Sequence, residues 1–373
     1  MTLRAPDFAG EITALFAERG AALTDIAIIQ PADPFLDMAG EDLRRRIFLT
    51  ESETGANLCL RPEFTIPVCR DHIEKRAETP RRYAYLGEVF RQQREGGAEF
   101  FQAGIEDLGE GDRATADARS LADAHALLAR VLPGAPLRGT LGDQTVFEAV
   151  LAALGLPRGW QKRLTRAFGS QKLLQAALDD LANPQGAGSL PRAVAGLVAR
   201  GDAESLAAHV ATVMEETGLS PSAGRTPQDI ARRLIEKAEL RSVRLTDEAM
   251  AALKSFVALR APFTEAGKRL AGFAADNGLV LDEALEGFDA RAARIAEQGL
   301  PLDMLTYDAG FGRPLDYYTG FIFEIGADGG AQPLVGGGRY DRLLTLLGAA
   351  MPIPGVGFSV WLDRVAALRE ARI

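Results

Sequence analysis

Residues 89–109 read VFRQQREGGAEFFQAGIEDLG, and the way this stretch folds decides the rest of the architecture. Two β-forming runs flank a short polar turn, Gln92 to Gly97, the pattern of two antiparallel strands. If residues 99–108 are a strand, the period of two puts Gln102, Gly104 and Glu106 on one face and Phe101, Ala103 and Ile105 on the other. The apolar face is core. The other sets an amide and a carboxylate across a glycine, which lets a small ligand approach the backbone; it is also the pattern of a half-exposed strand facing solvent. Arg91 carries a fork of donors suited to a carboxylate or phosphate, or stands as a surface arginine at a hairpin.

Working outward, DFAGEITALFAERGAAL (7–23) places Phe8, Ala9, Ile12, Leu15 and Phe16 on one helical face, with Asp7 as cap and Gly20 as terminator. Short β-like runs follow in TDIAIIQP (24–31), RIFLT (46–50), NLCLRP (57–62) and RRYAYLGEVFR (81–91). From about residue 145 to about 300, Ala, Leu, Arg and Glu recur at helical spacing, with loops expected at ANPQGAGSLP (182–191) and SPSAGRTPQ (220–228). β character returns in PLDYYTGFIFEIG (314–326). PLVGGGRYDRLLTLLG (333–348) reads as a glycine-rich turn opening a helix, outside the Walker and dinucleotide patterns. The expected fold is α+β: an antiparallel sheet flanked by helices, built from residues 1–150 and 262–373 and interrupted by a helical insertion at 151–261.

The 373 residues exceed what one growing core holds, and 47% hydrophobic with 25% charged residues is ordinary for a globular protein. The start, MTLRAPDFAGEI, lacks the basic and apolar regions of a secretory signal, and no run approaches a membrane span, so no membrane partner and a cytoplasmic location are expected. Cys59, Cys69, His72, His125 and His209 are scattered, so neither a metal site nor a cofactor is expected. A net charge of -9 opposes nonspecific nucleic-acid binding.

Three further segments carry candidate chemistry. In LRPEFTIPVCRDHI (60–73), Glu63 and Thr65 stand at a strand-to-helix junction, where an acid binds a ligand ammonium or caps its own helix. In GRPLDYYTGFIFEI (312–325), Arg313 and Asp316 precede Tyr317 and Tyr318, which on a strand would point to opposite faces. GVGFSVWLDR (355–364) reads as a strand running into a helix, with Trp361 at the join.

Taken in order, LRPEFT, the opening stretch, RPLDYYTGFIFE, GGGRYDRL and GVGFSVWLDR resemble the catalytic core of histidyl-tRNA synthetases, which are class II aminoacyl-tRNA synthetases. The resemblance covers residues ~1 to 110 and ~300 to 373 and implies the class II sheet, dimerising through the region around AIIQPADPF (27–35). It also implies a histidine pocket: Glu63, Gln102 and a tyrosine of the Tyr317–Tyr318 pair for the ammonium, Thr65 beside them, Arg91 for the carboxylate and Glu106 for the imidazole N–H. Arg313 matches an arginine that synthetases use in activation, followed here by Pro314 rather than glycine.

The activation machinery departs from that pattern. Arg91 and Gln102 are only eleven positions apart, too few for the long ATP- and tRNA-gripping loop, and Trp361 stands where a small residue is usual. An indole there would fill the adenosine position, since close packing leaves no room for both. The chain ends nine residues after Arg364, so no anticodon-binding domain and no tRNA partner are expected. These features also resemble the regulatory subunits of ATP phosphoribosyltransferase, a synthetase-like group in histidine biosynthesis. That resemblance implies a noncatalytic, histidine-sensing subunit, a homodimer within a hetero-octamer, activating a short-form catalytic subunit. The alternative is a stand-alone ligase that activates an amino acid with ATP.

Overall fold

The computed structural model describes residues 5–38, 40–93, 97–183, 191–217, 226–313, 315 and 317–372. Most of the two expected loops at 182–191 and 220–228, the centre of the 92–97 turn, Pro314 and Asp316 lie outside the described residues.

The strands in chain order are β1 (Ala22–Leu23), β2 (Ile29–Pro31), β3 (Leu49–Glu51), β4 (Asn57–Leu60), β5 (Arg81–Phe90), β6 (Glu99–Leu108), β7 (Leu137–Asp143), β8 (Arg260–Pro262), β9 (Leu305–Asp308), β10 (Phe321–Ala327), β11 (Pro333–Arg339) and β12 (Gly355–Trp361). Nine form one sheet in the order β1-β5-β6-β12-β11-β10-β7-β9-β8, and β2-β4-β3 form a small second sheet. The hairpin of the opening stretch is its longest pairing, Arg81 opposite Leu108 through Phe90 opposite Glu99.

The sheet is mixed rather than purely antiparallel. From β5 across to β7 every neighbouring pair is antiparallel, but β1 lies parallel to β5 and β9 parallel to β7. Both exceptions follow from connections that pass through helices, as parallel neighbours require. Helix Thr65–Glu74 lies between β1 and β5, and the helices from Gln144–Ala153 to Asp282–Glu297 lie between β7 and β9.

Two local expectations also change. Helix Ala9–Glu18 buries Ile12, Leu15 and Phe16 as expected, but Phe8 occupies its N-cap and no side chain caps it, so Asp7 does not serve there. Gly336, Gly337 and Gly338 lie inside β11, not in a turn opening a helix. The reason is close approach: a Cβ on Gly336 would lie 2.3 Å from the Arg313 guanidinium carbon, so only glycine lets that side chain cross the strand.

Within the helical stretch, Val194, Val198, Leu206, Ala207 and Ala231 pack into a small core of their own. The main core runs along the nine-stranded sheet. Among the described residues no helix is long and apolar enough to cross a membrane.

Candidate functional site

A cavity of about 360 Å³ opens over β6, β11 and β12, within the range of small-molecule sites. Of the residues expected to bind a ligand, Glu63, Thr65, Arg91, Gln102, Arg313, Tyr317 and Tyr318 line it together, with Trp361 in the same wall.

Glu63 sits where the chain turns from β4 into helix Thr65–Glu74. Its two carboxylate oxygens accept hydrogen bonds from the backbone N–H groups of Thr65 (2.7 Å) and Ile66 (2.9 Å), so it caps its own helix while facing the cavity. Burial raises its pKa against those bonds and the nearby Arg91. Arg91 donates from Nε to the Pro62 carbonyl (2.7 Å) and lies over the Phe100 ring. Burial pulls its guanidinium down to about 10, opposed by Glu63.

Gln102, on β6, is 1% exposed and its Oε1 has no hydrogen-bond partner. A buried acceptor left unpaired is costly, and a site that must receive an N–H donor is where such an atom is expected.

Glu106 departs from expectation. It does not line the cavity; it lies behind Thr65 and Tyr340, whose side chains do. Thr65 Oγ1 donates to its Oε1 (2.7 Å) and the Tyr340 hydroxyl to its Oε2. Burial pushes Glu106 up to about 8, against the hydrogen bonds from Tyr340 and Thr65. Gly104 differs too, because the Tyr85 phenol fills the space above it, with the hydroxyl 2.4 Å from where a Cβ would stand. Tyr85 stacks on Phe64 and pairs with Ser359 Oγ at 2.6 Å, so β6 is covered at Gly104 while Gln102 lines the cavity.

Tyr317 and Tyr318 precede β10 instead of lying on a strand, and both face the cavity. Arg313 donates to the Tyr318 hydroxyl (2.8 Å) and to Glu324 (3.1 Å). Its guanidinium lies 5.5 Å from the Trp361 ring centroid, with Arg364 at 4.4 Å. Arg364 is itself fixed by a bond to the Pro333 carbonyl (2.6 Å), so the indole is held among cations.

Sequence reasoning missed Tyr340, Glu324 and Arg364 as members of the site. Tyr340 had a signal: it follows a strand of glycines that leaves space for large neighbours. Cys59 and Cys69 are free and buried, and among the described residues no cluster of potential metal ligands forms.

The antiparallel core of the sheet and a pocket joining a buried amide, a helix-capping acid and two arginines are the parts that the resemblance to histidyl-tRNA synthetases implies. A family model described as Histidyl-tRNA synthetase matches residues 4–242 and 210–365. A crystal structure of an ATP phosphoribosyltransferase regulatory subunit/histidyl-tRNA synthetase from Bacillus halodurans superposes with a TM-score of 0.67 at 20% identity, covering 98% of this chain and 81% of that one. The histidyl-tRNA synthetase of Nostoc sp. PCC 7120 gives 0.65 at 15% identity, covering 100% and 76%. At these identities the likeness is one of fold. Closer in sequence, the ATP phosphoribosyltransferase regulatory subunit of Chelativorans sp. (strain BNC1) is 70% identical over 369 residues, 99% of each chain. That of Mesorhizobium japonicum is 69% identical over 371 residues, 100% of each. The chain belongs to the family of ATP phosphoribosyltransferase regulatory subunits.

Proposed function

We propose that this chain is a noncatalytic regulatory subunit that binds free histidine in the cavity and couples its occupancy to a short-form ATP phosphoribosyltransferase catalytic subunit, which it also activates. The carrying observation is the unpartnered Oε1 of Gln102, buried in the wall of a cavity that also presents carboxylate and guanidinium groups. A zwitterion matches that arrangement. Gln102 and the free lone pairs of Glu63 take the ammonium, Arg91 takes the carboxylate, and Arg313 stays with Glu324 and Tyr318. Glu106 reads the imidazole N–H through the hydroxyls of Thr65 and Tyr340. Coupling requires that histidine bind one conformation of the assembly better than another.

Trp361 stands in the cavity wall, and an indole there leaves less room for an adenosine, which supports a chain without ATP chemistry. Residues 151–261 read as a helical insertion into a synthetase-like core; the separate core of Val194, Val198, Leu206, Ala207 and Ala231 supports this for its middle, while Trp160, Leu164, Phe168, Leu178 and Phe256 pack into the main core. Homodimerisation through residues 27–35 is supported by Ile28 and Ile29, exposed by 42% and 57%. Within a hetero-octamer in the cytoplasm, histidine would then act as feedback inhibitor.

Titrating the purified chain with histidine in a calorimeter, then mixing it with a short catalytic subunit, tests the reading. Histidine binding together with a histidine-sensitive rise in phosphoribosyl transfer is expected. Histidine-dependent exchange of pyrophosphate into ATP by the chain alone would make it a ligase and overturn the proposal.

A further inference from the structure

A second cavity, about 930 Å³, lies between helices Gln144–Ala153 and Asp282–Glu297. It is a groove floored by charge. Arg339 donates to Asp117 (2.8 Å) and Asp341 (2.7 Å), and Arg291 pairs with Asp117 (3.3 Å) and Asp143. Six buried side-chain atoms among the described residues lack a partner, and none belongs to a residue of this groove. The floor therefore calls for no small polar ligand, unlike the pocket with its unpaired Gln102 acceptor.

What the groove offers is apolar contact and an acidic rim. Its walls are small residues such as Ala149, Ala152 and Gly287, which admit the close approach of a helix, and Val280 at one end is 79% exposed. On the rim, Glu148, Asp282 and Glu283 enter no ion pair among the described residues. Asp282 and Glu283 favour their own helix start, yet they also leave the rim net negative. An amphipathic helix with an apolar ridge and Lys or Arg on its flanks is the complement. A second copy of this chain, at net charge -9, would bring acid to acid.

The groove also shares a structural part with the pocket. Neighbouring residues of extended chain project to opposite sides. Tyr340 reaches Glu106 behind the pocket, while Arg339 and Asp341 build the groove floor. Thr319, next to the pocket tyrosine Tyr318, donates its N–H to the Arg339 carbonyl (2.8 Å) and accepts from the Asp341 N–H (3.0 Å). A shift of the tyrosines around a ligand would move the floor.

We infer that this groove is the surface that receives a basic-faced amphipathic helix of the catalytic chain, with residues 339–341 as its link to the pocket. The inference rests on the regulatory-subunit reading. Its test uses Gly287→Trp, because Gly287 lines the groove and a Cβ there meets no atom within 4 Å, so a large side chain enters from open space. Sedimentation with a short-form ATP phosphoribosyltransferase chain should show at least tenfold weaker association for Gly287→Trp, with its melting temperature and histidine affinity retained. Glu283→Lys should weaken association severalfold and flatten its salt dependence. Association within twofold of wild type for both variants overturns the groove and leaves the regulatory reading standing. Failure of the wild-type chain to associate overturns both. Loss of the chain's own dimer in Gly287→Trp makes the occupant a second copy and also overturns the inference.

Discussion

The pocket and the groove meet at the same strand end, yet they treat buried polar groups in opposite ways. In the pocket, Gln102 keeps an acceptor unpaired, Arg91 is pulled down to about 10 and Glu106 is pushed up to about 8. In the groove floor, Asp117, Asp143 and Arg339 are buried and Arg291 nearly so, but they are matched charge for charge. The pocket gives up stability that a polar ligand would restore, whereas the groove floor is complete without one. Substitutions that remove one polar group should therefore cost folding in the floor and binding in the pocket.

The largest effect is expected in the floor. Asp117 is fully buried and accepts from both Arg339 and Arg291. Asp117→Ala leaves two buried guanidiniums short of a partner, and breaking such a pair costs about 3–5 kcal/mol. A urea midpoint within error of wild type would show that the floor's charges are hydrated rather than matched.

Next is the pH dependence set by Glu106. Its folded pKa, about 8, stands above its ordinary 4.5, so the folded chain holds a proton that the unfolded chain has released. Stability from this residue is full below about pH 4.5 and declines as pH rises to about 8, by at most about 1.4 kcal/mol per pH unit. Glu63 is raised as well and adds a slope of the same sign. Glu106→Gln, which mimics the protonated acid, should flatten the fall in urea midpoint between pH 5 and 8. An unchanged slope would mean that Glu106 is ionised in the folded chain.

In the pocket, Gln102→Leu tests the other side of the comparison. The amide oxygen has no partner to lose, so the variant should fold with a midpoint close to wild type. Histidine affinity should fall by about 1–3 kcal/mol, the usual cost of losing a buried polar partner. Calorimetry showing unchanged affinity would remove Gln102 from ligand recognition.

The pocket side was legible in the sequence because its parts are local. Strand alternation placed Gln102 and Glu106, and the strand-to-helix junction placed Glu63 and Thr65. What sequence could not fix was depth: Glu106 and Gln102 share a strand face, yet Tyr340, 234 residues away in the chain, closes over one of them. Likewise the glycines of β11 suggest a turn until Arg313, Phe323 and Tyr318 are seen crowding them. The groove was illegible, because Arg291, Asp117 and Arg339 come from three distant elements and each alone reads as an ordinary surface charge.

The smallest effect separates the two regions through glycine alone. Gly287 lies in a helix interior facing the groove with open space at its Cβ position. Gly287→Ala should therefore stabilise the chain by about 0.5–1 kcal/mol, since alanine loses less backbone freedom on folding. Gly336→Ala, in the pocket, places a methyl group against the Arg313 guanidinium, which Glu324, Tyr318 and Trp361 hold from the other sides. The same change should there lower the melting temperature and weaken histidine binding. Opposite signs for the two alanines are what an open groove and a filled pocket require, and a destabilising Gly287→Ala would mean that the groove is already occupied by the chain's own side chains.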